Sequence, residues 1–243
     1  RQRQMCIRDR ITLAISPALK KLGVKNRSRL FQIPSHIEYI TVKPHMKRYM
    51  QASAQIYGTL LNYISPEDIH VYSIDEYFID ITPYTNLYKK TPRQLAQLLL
   101  DAVLDATHIY ATVGIGTNLF LAKIALDILA KHAPDFIGYL DESLFKEQIW
   151  HHQPITDIWQ IGSGIANRLR KFGAFDLYGI TQVPEHKLYK EFGVNAELLI
   201  DHAWGRESCT IADIHAYRPS KHSLSQSQIL LRNYTADEAR LPM

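Results

Sequence analysis

The chain has 243 residues, with 28 Lys and Arg, 24 Asp and Glu, a formal net charge of +4, and 46% apolar against 21% charged residues, the balance of one or two compact globular domains. Its 11 Gly and 11 Pro exclude collagen-like and Gly/Pro-rich disordered chains, and no stretch reaches the roughly 18 uncharged apolar residues of a membrane span. Cys6 and Cys209 are too few for a disulfide framework or a zinc site, and with no signal-peptide pattern the expected compartment is the cytoplasm.

Residues 1–10, RQRQMCIRDR, have no period, cap or turn chemistry. They resemble a translated adapter tract and are set aside as non-native, a genuine basic arm being the alternative. They carry +3 of the net charge, so the rest of the chain carries only +1. Basic residues nevertheless cluster locally, from Lys20 to Arg29, as a phosphate-binding surface would require.

Ile11–Ile15 is a short apolar run suited to a buried strand. Pro17–Leu22 predicts one or two helical turns closed by Gly23. Pro44 opens a long helix, whose Met46, Tyr49, Met50, Ser53, Ile56, Tyr57, Leu60, Leu61 and Ile64 follow the spacing of one buried face. Ser65-Pro66 stops it. Ile69–Ile74 and Tyr77–Thr82 are β-branched and aromatic, as strands are. Thr91-Pro92 reads as a cap and first helical residue, opening a helix that buries Leu95, Leu98, Leu99, Ala102 and Ala106. Tyr110–Ile115 is a further strand, and Asn118 caps a helix that buries Leu121, Ile124, Ala125, Ile128 and Leu129. The order predicts an α+β layer with a mostly antiparallel sheet and helices on one face. From Ile155 to about Arg218 the pattern is helical, and 219–227 is polar and linker-like.

The sharpest chemical feature is Asp75-Glu76, two adjacent carboxylates between strand-like runs. In an ideal strand they would point to opposite faces, and a turn or bulge lets both approach one site. Carboxylates on a sheet edge suit Mg²⁺, and a solvated hairpin tip is the alternative. Lys123, on a helix whose neighbours are apolar, would ordinarily reach toward solvent. Gly114 and Gly116 form a Gly-x-Gly, read as the turn ending a strand.

The string Val71–Thr82 (VYSIDEYFIDIT) resembles the acidic palm motif of the Y-family, or translesion, DNA polymerases, and is most similar to the UmuC-like branch. Three further blocks resemble that family in the same order. They are 14–25 (AISPALKKLGVK) in the fingers, 112–131 (TVGIGTNLFLAKIALDILAK) in the palm and 155–173 (ITDIWQIGSGIANRLRKFG) in the thumb's helix-hairpin-helix.

The resemblance implies partial fingers over 11–64, a palm lacking its first strand over 65–150, an all-α thumb over 151–218, and a linker with the start of a truncated little finger over 219–243. It implies template-directed DNA synthesis across damaged DNA, with two Mg²⁺ ions held by Asp75 and Glu76 as the catalytic pair. Lys20 and Lys123 would meet the dNTP triphosphate. Gly162, Ser163, Gly164 and Arg168 would hold primer-template DNA through its phosphates. A sliding-clamp contact would lie beyond Met243, and no membrane partner is expected. The family's third carboxylate and its steric-gate aromatic are expected upstream of Ile11, so the fragment alone is expected not to polymerise DNA. A nonenzymatic helix-hairpin-helix DNA-binding protein with a degenerate palm is the alternative.

Overall fold

The computed structural model describes residues 11–219 together with 223, 235 and 237. The non-native assignment of 1–10 and the little-finger assignment beyond 219 thus lie almost wholly outside the described residues. The chain divides into two compact units, residues 1–46 with 219–243, and residues 47–218.

In the first unit Ser16 accepts the Leu19 N–H and Pro17 starts helix α1 (Pro17–Lys21). Gly23 follows at φ 82°, the left-handed conformation that a helix-ending glycine supplies. The strand expected at 11–15 is reduced to a single antiparallel bridge between Ile11 and Arg29. Ile15, Val24, Ile33 and Ile37 form a small core of their own.

Helix α2 runs Met46–Leu60, but its expected apolar stripe is buried only at one end. Leu60 and Ile64 are buried and Ile56 and Tyr57 pack beside them, whereas Met46, Tyr49 and Met50 are exposed. The cluster that covers the stripe, built from Ile69, Tyr84, Leu95, Leu99 and Val103, extends no further along α2 than Ile56. Strands β1 (Ile69–Val71) and β2 (Tyr77–Ile79) pair antiparallel, with Ile69 opposite Ile79 and Val71 opposite Tyr77. The second strand stops short of Thr82 because Asp80 accepts the Thr82 N–H at 2.9 Å and Pro83 supports a helical turn. That turn opens helix α3 (Thr82–Tyr88), which sequence patterning missed.

Helix α4 (Pro92–Thr107) begins as expected, with a reciprocal cap between Thr91 and Gln94. Replacing Thr91 by alanine removes one of the two orphan-donor partners and should cost about 1 kcal/mol, read as a lower urea midpoint with an unchanged slope.

Strand β3 (Val113–Gly116) and strand β4 (Ile137–Leu140) pair in parallel, Val113 opposite Ile137 and Gly116 opposite Leu140. The described residues therefore hold one antiparallel and one parallel pair, and the expectation of a mostly antiparallel sheet is corrected. The connection between β3 and β4 is helical, as a parallel pair requires. It consists of α5 (Leu119–Ile124), a wide π-type turn at Ala125–Leu129 and a tight turn at Ala130–His132.

The Gly-x-Gly follows from this packing. Side chains alternate along β3. Val113 and Ile115 face Ala96 and Leu100 of α4. On the other side a Cβ at Gly114 would lie 2.1 Å from the Ala122 carbonyl oxygen, and one at Gly116 would lie 2.2 Å from the Ala122 nitrogen. The glycines let helix backbone lie directly on the strand, which ends at Gly116 as expected, with a bend at 117–118 before α5.

Helices α6 (Glu142–Gln148), α7 (Ser163–Arg170), α8 (Leu177–Thr181), α9 (Glu185–Phe192), α10 (Asn195–Ala203) and α11 (Ile211–Ala216) complete the second unit. As predicted, no strand occurs from Ile155 to Arg218. One continuous core joins Phe120, Leu121 and Ile124 of α5 to Phe145, Leu169, Leu177, Ile180 and Ala203, and it crosses the boundary expected near residue 151. Among the described residues no helix is long and apolar enough to cross a membrane.

Candidate active site at the acidic turn

The loop of the β1–β2 hairpin carries the acidic pair. Its geometry is set by the Glu76 carbonyl oxygen, which accepts the backbone N–H groups of Tyr72 at 3.0 Å and Ser73 at 3.1 Å. Five residues, Tyr72 to Glu76, are thereby drawn into a tight loop, and the strand alternation that would separate the two carboxylates no longer applies. Asp75 is exposed and accepts a hydrogen bond from the Ser73 hydroxyl at 2.9 Å. Glu76 is half-buried and accepts from the Lys123 ammonium at 2.8 Å.

Lys123 does not reach to solvent. It is 7% exposed, and its ammonium contacts Glu76 at 2.8 Å and Asp127 at 3.1 Å. Asp127 also holds Lys131, at 2.9 Å, so α5 and its π-type turn carry an alternating row of lysine, aspartate and lysine. Burial works against the Lys123 charge, but the hydrogen bonds and charges of Glu76 and Asp127 outweigh it, and the net shift of its pKa is upward. Lys123 is therefore a fixed cation beside Glu76. The i, i+4 spacing of Lys123, Asp127 and Lys131 is the sequence signal for this row.

The two carboxylates offer hard oxygen ligands to a divalent cation. Such a donor set fits Mg²⁺, which takes one or two carboxylates and completes its sphere with water and phosphate oxygens. Among the described residues no group of three or more His, Cys, Asp or Glu is arranged to hold a metal.

The remaining site residues expected from sequence lie elsewhere. Lys20 is exposed on α1 in the first unit, in the helix's last turn. Gly162 stands at the N-cap of α7, and Gly162, Ser163 and Gly164 are all exposed with open space around both glycines. The first-turn N–H groups of α7 are thus presented to solvent. Arg168 is turned inward instead. Its guanidinium lies 4.4 Å from the centroid of the Phe192 ring and donates to the Glu191 carbonyl oxygen at 3.3 Å, tying α7 to α9.

Behind the acidic turn lies a buried histidine that sequence patterning did not single out. His202 is 3% exposed, stacks on Phe120 at 4.0 Å and contacts Glu207 at 2.9 Å. Burial lowers its pKa despite the favourable charge of Glu207, so the neutral ring donates Nε2–H to the carboxylate. Burial, reinforced by the charge of His215, lowers His70 on β1 as well.

A depressed histidine pKa means that the unfolded chain binds the extra proton first. The stability tied to it is present above the unfolded value of about 6.5 and is lost as pH falls. The urea midpoint should fall between pH 7.5 and 5.5, and His202→Gln should flatten that dependence, leaving a residual slope from His70. A midpoint that rises on acidification would contradict the assignment.

The model of the impB/mucB/samB family matches residues 1–127. UvrX of Bacillus subtilis (strain 168), which carries a UV-damage repair name, is 32% identical over 230 residues, covering 94% of this chain and 53% of its own length. DNA polymerase IV 2 of the same organism is 34% identical over 193 residues, covering 79% and 46%. The chain thus spans about half the length of these relatives. Among solved structures, a Dbh ternary complex superposes with a TM-score of 0.66 at 26% identity, covering 82% of this chain and 59% of the other. DinB from Sulfolobus solfataricus does so with a TM-score of 0.60 at 27% identity, covering 82% and 55%. With the family model spanning more than half of its residues, and relatives above 30% identity covering most of it, the chain belongs to the impB/mucB/samB family.

Proposed function

We propose that this chain is part of a translesion DNA polymerase, and that the turn carrying Asp75 and Glu76 is its site of nucleotidyl transfer. The observation that carries this is the acidic loop itself, which sets two carboxylates at one hairpin tip beside a buried, charged Lys123. Relatives named as DNA polymerases, and structural neighbours described as ternary complexes, support the same reading.

Two Mg²⁺ ions, when bound, supply charge neutralisation at the attacking and leaving oxygens. Asp75 and Glu76 are the residues here that would hold them. Lys123, kept charged by Glu76 and Asp127, offers its ammonium to the triphosphate, and Lys20 on α1 is assigned to the triphosphate as a second point charge. Reaction then depends chiefly on positioning and on preorganised charge. Fingers, palm and thumb are assigned to 11–64, 65–150 and 151–218. The exposed Gly162–Ser163–Gly164 turn at the start of α7 serves as the hairpin of a helix-hairpin-helix, its N–H groups holding a backbone phosphate of primer-template DNA without regard to sequence. Arg168 braces that hairpin through Phe192. The enzyme acts in the cytoplasm.

The test uses the protein expressed from its complete reading frame, with primer-template DNA, dNTPs and Mg²⁺. Template-directed extension of the primer is expected. DNA binding measured in parallel by fluorescence anisotropy separates the alternatives, because tight binding without extension would point to a nonenzymatic DNA-binding protein.

A further inference from the structure

We propose that Tyr72 and Trp159 form an aromatic bridge that positions the Lys123 ammonium against Glu76, joining the α7 hairpin to the acidic turn. Tyr72 opens the acidic loop, and its backbone N–H donates to the Glu76 carbonyl oxygen. Its ring meets three groups. It packs edge-on against Phe78 of β2 at 5.5 Å and against Trp159 at 5.9 Å, and it lies 5.9 Å from the Lys123 Nζ, within reach of a cation–π contact. Its hydroxyl accepts the Trp159 indole N–H at 3.0 Å.

Trp159 stands 87 residues away in sequence, immediately ahead of the Ile161–Gly164 hairpin. Its ring lies parallel to His202 at 6.0 Å, and His202 stacks on Phe120, one turn before Lys123 on α5. The contacts close a circuit from Lys123 through Tyr72, Trp159, His202 and Phe120 back to α5. Within it Tyr72 is the loosest member, 43% exposed, and Trp159 supplies the hydrogen bond that fixes its hydroxyl.

This matters because a lysine has a long, freely rotating side chain, and ordering it in one place costs conformational entropy. Glu76 and Asp127 hold the Lys123 charge, and the face of the Tyr72 ring closes a further side. Tyr72 and Trp159 act through Lys123 and are positioning residues. Their kinetic role rests on the nucleotidyl-transfer reading of the acidic turn; their effect on Lys123 does not.

Two readouts test the bridge. In the chain labelled with ¹³C,¹⁵N-lysine, the Lys123 side-chain protons should show an upfield ring-current shift from Tyr72. Tyr72→Leu should remove it. Trp159→Phe keeps a ring but loses the N–H donor, and should reduce the shift without lowering the melting temperature in proportion.

In the protein from the complete reading frame, Trp159→Phe and Tyr72→Phe break the same hydrogen bond. Each should raise the KM for dNTP about three- to tenfold, the scale of one net hydrogen bond, with kcat nearly unchanged. The double variant should be no worse than either single variant. Lys123 signals unmoved by Trp159→Phe, or fully additive effects of the two substitutions on KM, would overturn the bridge. If the Lys123 signals move while the wild-type protein shows no extension at all, the bridge stands and the nucleotidyl-transfer reading falls.

Discussion

Replacing Asp75 by alanine should lower the rate of primer extension by about 10³-fold or more while leaving the fold intact. The magnitude follows from the several kcal/mol of charge stabilisation that a bound metal ion supplies, at tenfold in rate per ~1.4 kcal/mol. The intact fold follows from position. Asp75 is exposed at the tip of the hairpin loop, and the only side-chain partner recorded for it among the described residues is the Ser73 hydroxyl, so its removal should change stability by less than about 0.5 kcal/mol. Glu76→Gln is the informative contrast. It too should abolish extension, but it also weakens the pair with a lysine that is 7% exposed, leaving Asp127 as the remaining carboxylate on that ammonium. A stability loss of about 1–2 kcal/mol is expected, below the cost of orphaning a fully buried charge because Asp127 stays and Glu76 is partly solvated. Steady-state extension rates and urea midpoints on the same preparations separate the two residues. Equal stability losses would show that Asp75 is a structural residue.

Gly114→Ala should produce the largest loss of stability in the molecule, about 3 kcal/mol or more, and low yield of folded protein. The added Cβ would lie 2.1 Å from the Ala122 carbonyl oxygen, 2.2 Å from the Leu126 nitrogen and 2.7 Å from the Leu126 Cα. All three are backbone atoms, so no rotamer change relieves the overlap and α5 must move off the strand. Overpacking against flexible side chains costs about 1–3 kcal/mol, and rigid backbone sets the upper end of that range or beyond. Gly162→Ala is the internal control, because its added Cβ would meet open space beyond its chain neighbours. It should fold normally and affect only what the exposed hairpin binds. A folded Gly114→Ala with an unchanged midpoint would mean that α5 does not lie on β3 as described.

Much of this was legible in the chain, and the failures have local causes. Caps were legible because they are local chemistry. Thr91-Pro92 before α4, Asn118 before α5 and Pro17 at the start of α1 each announce a helix start. The break between β1 and β2 was legible because two adjacent carboxylates separate two aromatic and β-branched runs. Strand β4 was missed because IGYL is only four residues long and its glycine weakens the pattern, although Gly138 is there to admit the backbone of α5's connection. The sense of the second strand pair was missed with it. The burial of Lys123 was not legible. Helical spacing predicts a side chain reaching for water, and what retains it is Glu76, 47 residues away. Arg168 shows the converse. Its charge suggested an outward, phosphate-facing role, yet Phe192 and the Glu191 carbonyl draw it inward, a pairing that spans 23 residues. Sequence reading found the residue types that carry charge, and tertiary packing decided where each charge points.

The proposal that Asp75 and Glu76 together form a metal-dependent nucleotidyl-transfer site can be tested by counting bound ions. The protein from its complete reading frame, with primer-template DNA and a nonhydrolysable dNTP, is titrated with Mn²⁺, and free Mn²⁺ is followed by electron paramagnetic resonance. Two tightly bound ions are expected for the wild type, with their loss in the Asp75→Ala, Glu76→Gln double variant. An equal number of ions bound with equal affinity by wild type and double variant would contradict the claim.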